Sequence, residues 1–95
     1  MNTHKITITY CPGCRWVTRA CWICQELLIT FESEVAEIGL RPSPTPGTFQ
    51  IHVNDKLVHC RKENQGFPEL KILKQSIRDI IKPDLDLGHS DKKIT

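Results

Sequence analysis

Along the first part of the chain the apolar positions change their spacing twice. From Lys5 to Tyr10 they alternate strictly, with Ile6, Ile8 and Tyr10 on one side and Lys5, Thr7 and Thr9 on the other. That is the period of a half-buried strand. From Arg15 to Phe31 the spacing becomes helical. Val17, Ala20, Cys24, Leu27, Leu28 and Phe31 form a stripe opposed by Arg15, Arg19, Gln25 and Glu26, which predicts an amphipathic helix. Val35 to Leu40 alternates again with Ala36, Ile38 and Leu40 inward, before RPSPTPG, a segment expected to join neither helix nor ladder. The strand–helix–strand unit runs about 35 residues, near the usual size of a right-handed βαβ crossover.

The second half reads as a hairpin and a helix. Phe49, Ile51 and Val53 face one way and Thr48, Gln50 and His52 the other; Asn54-Asp55 makes a tight turn, and Leu57 to Cys60 resumes extended character. QGFPELKILKQSIRDIIKP then places Pro68 in a first helical turn, follows it with Glu69, and spaces Leu70, Leu73, Ile77 and Ile80 or Ile81 along one face up to Pro83. The remainder, DLDLGHSDKKIT, is polar and aperiodic and reads as a loosely held tail. The domain is drawn over residues 1–88, with a flexible polar tail over 89–95. The order is βαβββα. Every strand alternates, so both helices are expected on one sheet face with the other face wet, a two-layer α/β sandwich.

Composition narrows the function. A chain of 95 residues fits one small domain. Its net charge of +2 arises from 13 basic and 11 acidic residues scattered without a basic run, which argues against a nucleic-acid partner. No apolar stretch approaches the roughly 20 residues needed to cross a bilayer, and MNTHK opens no signal peptide, so no membrane partner is expected and the cytoplasm is the expected location. Five cysteines do not suit a fully paired secreted framework, and a close C-x-x-C pair points to redox or metal chemistry.

That pair is Cys11 and Cys14, in YCPGCRW. It is expected at the carboxyl end of the first strand and in the first turn of the helix, where the helix dipole stabilises a thiolate and the three-residue offset lets two sulfurs bridge. Pro12 removes a donor and stiffens the link, Gly13 relaxes the turn, and Tyr10, Arg15 and Trp16 flank the pair. The return of the fourth strand is expected to bring Cys60, Arg61 and the corner of Gly66, Phe67 and Pro68 back to the same edge, with Phe67 lining an apolar rim for a protein substrate. Pro46 is expected beside the thiols and is weighed as a cis-proline. Arg15 and Arg19 either hold a thiolate or an anionic partner such as glutathione, or form a solvated helix face.

The other cysteines admit a rival reading. C-x-x-C-x6-C-x-x-C matches four ligands for zinc or an iron–sulfur cluster, but Cys21 lies two helical turns, about 10 Å, beyond Cys14, out of reach of one metal. Cys24 reads as a small hydrophobe in the apolar stripe, Cys21 as its edge, and Cys60 as a buried strand residue about 10 Å from Cys11 across an intervening strand. His52 and His59 are expected on the wet face or at a strand end without partners at ligand spacing, while His4 and His89 belong to the termini. Neither metal nor cofactor is expected. Trp22 reads as a packing residue.

Several stretches together resemble a known family: YCPGCRW, Arg19-Ala20, QELLITF from Gln25 to Phe31, the G-x-F of the third strand, GFPELKILKQSIRD and LGHSD. The chain is similar to the selenoprotein W-like group, the Rdx family, and looks like a bacterial member with cysteine where some relatives carry selenocysteine. The resemblance implies a thioredoxin-like fold and a redox role. Thioredoxin-like logic makes the first cysteine the attacker, whereas the family's selenium-bearing position corresponds to Cys14. On that ground Cys14 is placed ahead as nucleophile, with Cys11 forming or resolving the disulfide. Cys21 and Cys24 depart from the family, whose members tend to small apolar residues there. The reading is a thiol–disulfide oxidoreductase in cell redox homeostasis, partnered by a redox protein or glutathione. The alternative is a non-catalytic, redox-sensitive protein-binding module.

Overall fold

A computed structural model describes residues 3–88 of the chain; the expected tail, 89–95, lies outside them, as does His89. The elements are β1 (His4–Tyr10), α1 (Val17–Phe31), β2 (Val35–Pro42), β3 (Phe49–Val53), β4 (Lys56–Cys60), α2 (Arg61–Asn64) and α3 (Leu70–Ile81). The four strands form one sheet in the order β2-β1-β3-β4, with β2 parallel to β1 and the hairpin antiparallel. The β1-α1-β2 unit is the parallel crossover that the spacing predicts. With α1 and α3 on one face, the molecule is a thioredoxin-like two-layer α/β sandwich.

The core lies between that face and the helices. Ile6, Ile8, Ile51 and Val53 rise from the central strands against Ala20, Ile23, Leu27 and Phe31 of α1 and Leu73 and Ile77 of α3. Each large apolar side chain withdrawn from water contributes about 1.5–3 kcal/mol. The buried face of α1 differs from the predicted stripe by a rotation. Ile23 takes a central place, while Val17 and Leu28 remain 43% and 41% exposed.

Three strand details also depart from expectation. A register shift opposite His4 and Lys5 pairs them with Val35 and Glu37. It turns Val35 inward and leaves Ala36 exposed, because the bulged residue drops out of the alternation. β2 also continues through Arg41 and Pro42, which pair with Thr9 and Tyr10. A proline is tolerated there because β2 is an edge strand. In β4 a second shift, between Ile51 and His52, sets His59 opposite the inward Ile51. His59 therefore faces the helical layer rather than the wet face. Its Nε2–H donates to the Gly66 carbonyl at 2.8 Å, an assignment that follows because a carbonyl only accepts.

The turns follow from local chemistry. Asn54 takes φ 56°, a conformation asparagine tolerates well, and its Oδ1 accepts from Lys5 N–H at 3.0 Å. α3 begins one residue after Glu69, so Pro68 precedes the helix instead of occupying its first turn. The chain beyond Pro83 does not drift away. Leu85 and Leu87 pack on the core, and Arg78 Nη1 donates to the Leu85 carbonyl at 2.7 Å. The polar composition around them hides two anchoring leucines. Among the described residues no helix is long and apolar enough to cross a membrane.

Candidate functional site

β1 delivers Cys11 to the carboxyl edge of the sheet, where the strand ends and the chain must turn before α1. Pro12 O accepts from Arg15 N–H at 3.0 Å and Cys11 O from Trp16 N–H at 3.4 Å. The residue that makes this turn possible is Arg15, at φ 60°, while Gly13 has no positive φ and a Cβ there would meet nothing within 4 Å. Gly13 is thus not the conformational requirement the sequence suggests. The left-handed Arg15 also stops the helical run from reaching back to the cysteines. α1 starts at Val17, so the pair sits in the loop before the helix rather than in its first turn.

Cys11 and Cys14 form a disulfide with their Cα atoms 5.4 Å apart. The two sulfurs are not equivalent. Cys11 is 3% exposed and packed inward, while Cys14 is half-buried. The Cys14 N–H donates to Cys11 Sγ at 3.2 Å. A backbone donor aimed at a sulfur favours negative charge on it. The charge stabilisation that was expected from a helix N-terminus is supplied by one N–H within the loop.

Tyr10, Pro12, Gly13, Arg15 and Trp16 adjoin the pair in the chain, and Phe67 reaches this end of the molecule through Trp16. Tyr10 ends β1 and its carbonyl accepts from Ser43 N–H at 2.8 Å, tying the β2–β3 connection across the strand end. Pro12, Gly13 and Arg15 are exposed. Trp16 meets Phe67 edge-on with centroids 5.0 Å apart and Phe49 at 6.3 Å, and Phe49 and Phe67 stand 5.2 Å apart. Such edge-to-face pairs contribute about 0.5–1.5 kcal/mol beyond burial. Gly66, at φ 153°, turns the chain into that cluster as no other residue does readily. Pro68 lines a cavity of about 300 Å³ with His59, Phe67 and Leu73. Pro46 lies in the β2–β3 connection, where its carbonyl accepts from Lys62 Nζ at 3.4 Å, and its peptide is trans: no cis bond occurs among the described residues.

One residue that the sequence brings to this edge, without a task there, has one in the structure. Arg61, opening α2, lays its guanidinium 4.9 Å above the Trp16 ring and donates from Nε to the Gly47 carbonyl at 3.2 Å. It thereby clamps the β2–β3 connection to the aromatic cluster. Its place just after the β4 alternation, at the thiol end of the sheet, is the only signal the sequence offers for it. Arg19 stacks on Phe67, 3.9 Å from the centroid.

The remaining thiols are separate from the disulfide. Cys60 is buried, but on the outer face of the sheet. Gln50 Nε2 reaches its sulfur at 3.8 Å, and with Thr9, Thr48 and Lys62 it lines a cavity of about 280 Å³ under the β2–β3 connection. Cys21 is exposed and Cys24 half-buried. Burial, and then the neighbouring Cys21, push the Cys24 thiol above its ordinary pKa. Among the described residues no group of three or more His, Cys, Asp or Glu is placed to hold a metal.

Comparison with known proteins gives the chain its context. The model of the Rdx family matches residues 5–79. The crystal structure of a selenoprotein W-related protein from Vibrio cholerae superposes with a TM-score of 0.81 at 44% identity, covering 85% of this chain and all of that one. A Bordetella parapertussis structure gives 0.78 at 45% identity, covering 81% and 96%. No curated protein matches the chain.

Proposed function

The chain belongs to the Rdx family, and we propose that its Cys11/Cys14 pair exchanges disulfides with a partner, as a thiol–disulfide oxidoreductase. In the dithiol state the Cys14 thiolate attacks one sulfur of a substrate disulfide. A Cys14–substrate bond forms, the substrate S–S bond breaks, and the leaving thiolate takes a proton from solvent. Cys11, as thiolate, then attacks Cys14 Sγ, closing the intramolecular disulfide and expelling the second substrate thiolate, which is protonated in turn. Two electrons pass from protein to substrate, and an external dithiol or thiol reverses the sequence.

The observation that carries this reading is the asymmetry of the pair. The half-buried Cys14 meets the partner, and the buried Cys11, receiving the Cys14 N–H, is the better-stabilised thiolate to leave or to resolve. Exchange depends on access to the attacked sulfur and on the stability of the leaving thiolate. Both favour Cys14 as the outward sulfur, in agreement with the family's selenium-bearing position. Turnover of 2-hydroxyethyl disulfide in a thioredoxin- or glutathione-recycling assay tests the proposal. A rate above the protein-free background that is lost in Cys14→Ser supports it. Background rates with both recycling systems favour the non-catalytic binding module instead.

A further inference from the structure

Three arginines border the aromatic cluster that begins two residues after Cys14. Arg15 and Arg19 line, with Trp16, Thr18 and Trp22, an open depression of about 370 Å³. Arg61 covers the Trp16 ring at 4.9 Å, and Arg19 lies 3.9 Å over Phe67, which is itself edge-on to Trp16. Among the described residues no ion pair is formed by any of the three; ion pairs elsewhere join Lys5 to Glu37, Lys74 to Glu26 and Arg78 to Asp79. Lys62 adds a fourth cation, reaching the Pro46 carbonyl at 3.4 Å on the connection that Arg61 holds. In a chain of net charge +2, this concentrates uncompensated positive charge at one rim.

We propose that this rim selects an acidic polypeptide segment as the carrier of the disulfide that Cys14 attacks, an inference that rests on the redox reading above. Ring stacking holds Arg19 and Arg61 in place, so less side-chain freedom is lost when their remaining N–H groups grip a carboxylate. Arg15 directly follows Cys14 in the chain, and surface charges act over a Debye length of about 8 Å at physiological ionic strength. The cations draw in a negatively charged partner that the Cys14 thiolate alone would repel. A polypeptide is favoured over a small anion because the depression is open and takes in, beside the Trp16 ring, the exposed Trp22, 48% accessible. Apolar anchors rimmed by cations match a peptide's mixed surface better than a compact dicarboxylate. The favoured step is the balanced exchange described above: Cys14 Sγ bonds to a sulfur of the segment's disulfide, the former S–S bond breaks, and its other sulfur leaves as a thiolate.

Rapid mixing of the pre-reduced full chain with four disulfides tests this. Two are peptides of equal length, each with one cysteine capped by 2-mercaptoethanol, flanked by glutamates in one and lysines in the other. The others are neutral 2-hydroxyethyl disulfide and dianionic 3,3′-dithiodipropionate. The glutamate peptide is expected to react on the order of ten-fold faster than the lysine peptide at low salt, with the ratio falling toward one at high salt. Arg19→Gln and Arg61→Gln should each shrink the ratio and Arg19→Lys should keep most of it, a pattern that loss of packing alone does not produce. Equal rates for the two peptides, with normal exchange of the neutral disulfide, overturn the inference and leave the redox reading standing. A gain for dithiodipropionate as large as for the glutamate peptide overturns the choice of a polypeptide. No exchange with any of the four sinks the redox reading, and the inference with it.

Discussion

The backbone N–H of Cys14 points at the sulfur of Cys11 across 3.2 Å, so the residue that faces solvent also supports the charge of its buried partner. This relationship divides the labour between two cysteines that a C-x-x-C motif leaves equivalent. In Cys11→Ser, Cys14 should still capture 2-hydroxyethyl disulfide and, with no resolving thiolate, hold the adduct. In Cys14→Ser, adduct formation on the 3% exposed Cys11 should be at least about ten-fold slower, since exchange requires access to the attacking sulfur. Intact-mass measurement over time distinguishes the two.

The aromatic cluster is expected to support both fold and loop. Phe49 is 1% exposed and bridges Trp16 and Phe67, so Phe49→Ala should cost about 3–5 kcal/mol, a large part of the roughly 5–15 kcal/mol typical of a whole domain. Phe67→Ala, removing a half-buried ring, should cost less. Urea unfolding of the two variants, followed by circular dichroism, gives the order.

Cys21 and Cys24 should differ in reactivity with a definite pH dependence. A raised pKa means a smaller thiolate fraction at any pH below it, and the thiolate is the nucleophile. Burial raises the Cys24 value, so its alkylation by iodoacetamide should lag behind that of exposed Cys21 at pH 8. The gap should narrow as the pH rises past the Cys24 pKa and both thiols ionise. Peptide mapping after timed quenching follows each site.

Much of this arrangement is legible in the chain before any coordinates. The 2.0 and 3.6 periods locate all four strands and both long helices, and the short spacing of Cys11 and Cys14 allows the bridge that the structure contains. What escapes is set by interactions that no local period records. The rotation of α1 that buries Ile23 depends on how the helix seats on β1 and β2. The inward turn of His59 comes from a register shift in the hairpin, and the docking of Leu85 and Leu87 from contacts with a core assembled far away in sequence. The α1 boundary moves because Arg15, not Gly13, takes the left-handed conformation. Glycine is the residue that sequence reasoning expects there. Arg61 lies at the right end of the sheet by topology, yet its stacking on Trp16 requires the fold of α2 to aim it.

The central claim is that Cys11 and Cys14 interconvert as one two-electron unit at an accessible rim. Equilibrating the protein across a series of reduced-to-oxidised dithiothreitol ratios, trapping with a thiol alkylator and counting labels by intact mass tests it most directly. The account predicts loss of two labels in a single step, both mapping to Cys11 and Cys14, with Cys21, Cys24 and Cys60 labelled throughout after denaturation. Labels retained on Cys11 and Cys14 at every ratio, or protection appearing first at another cysteine, would contradict it.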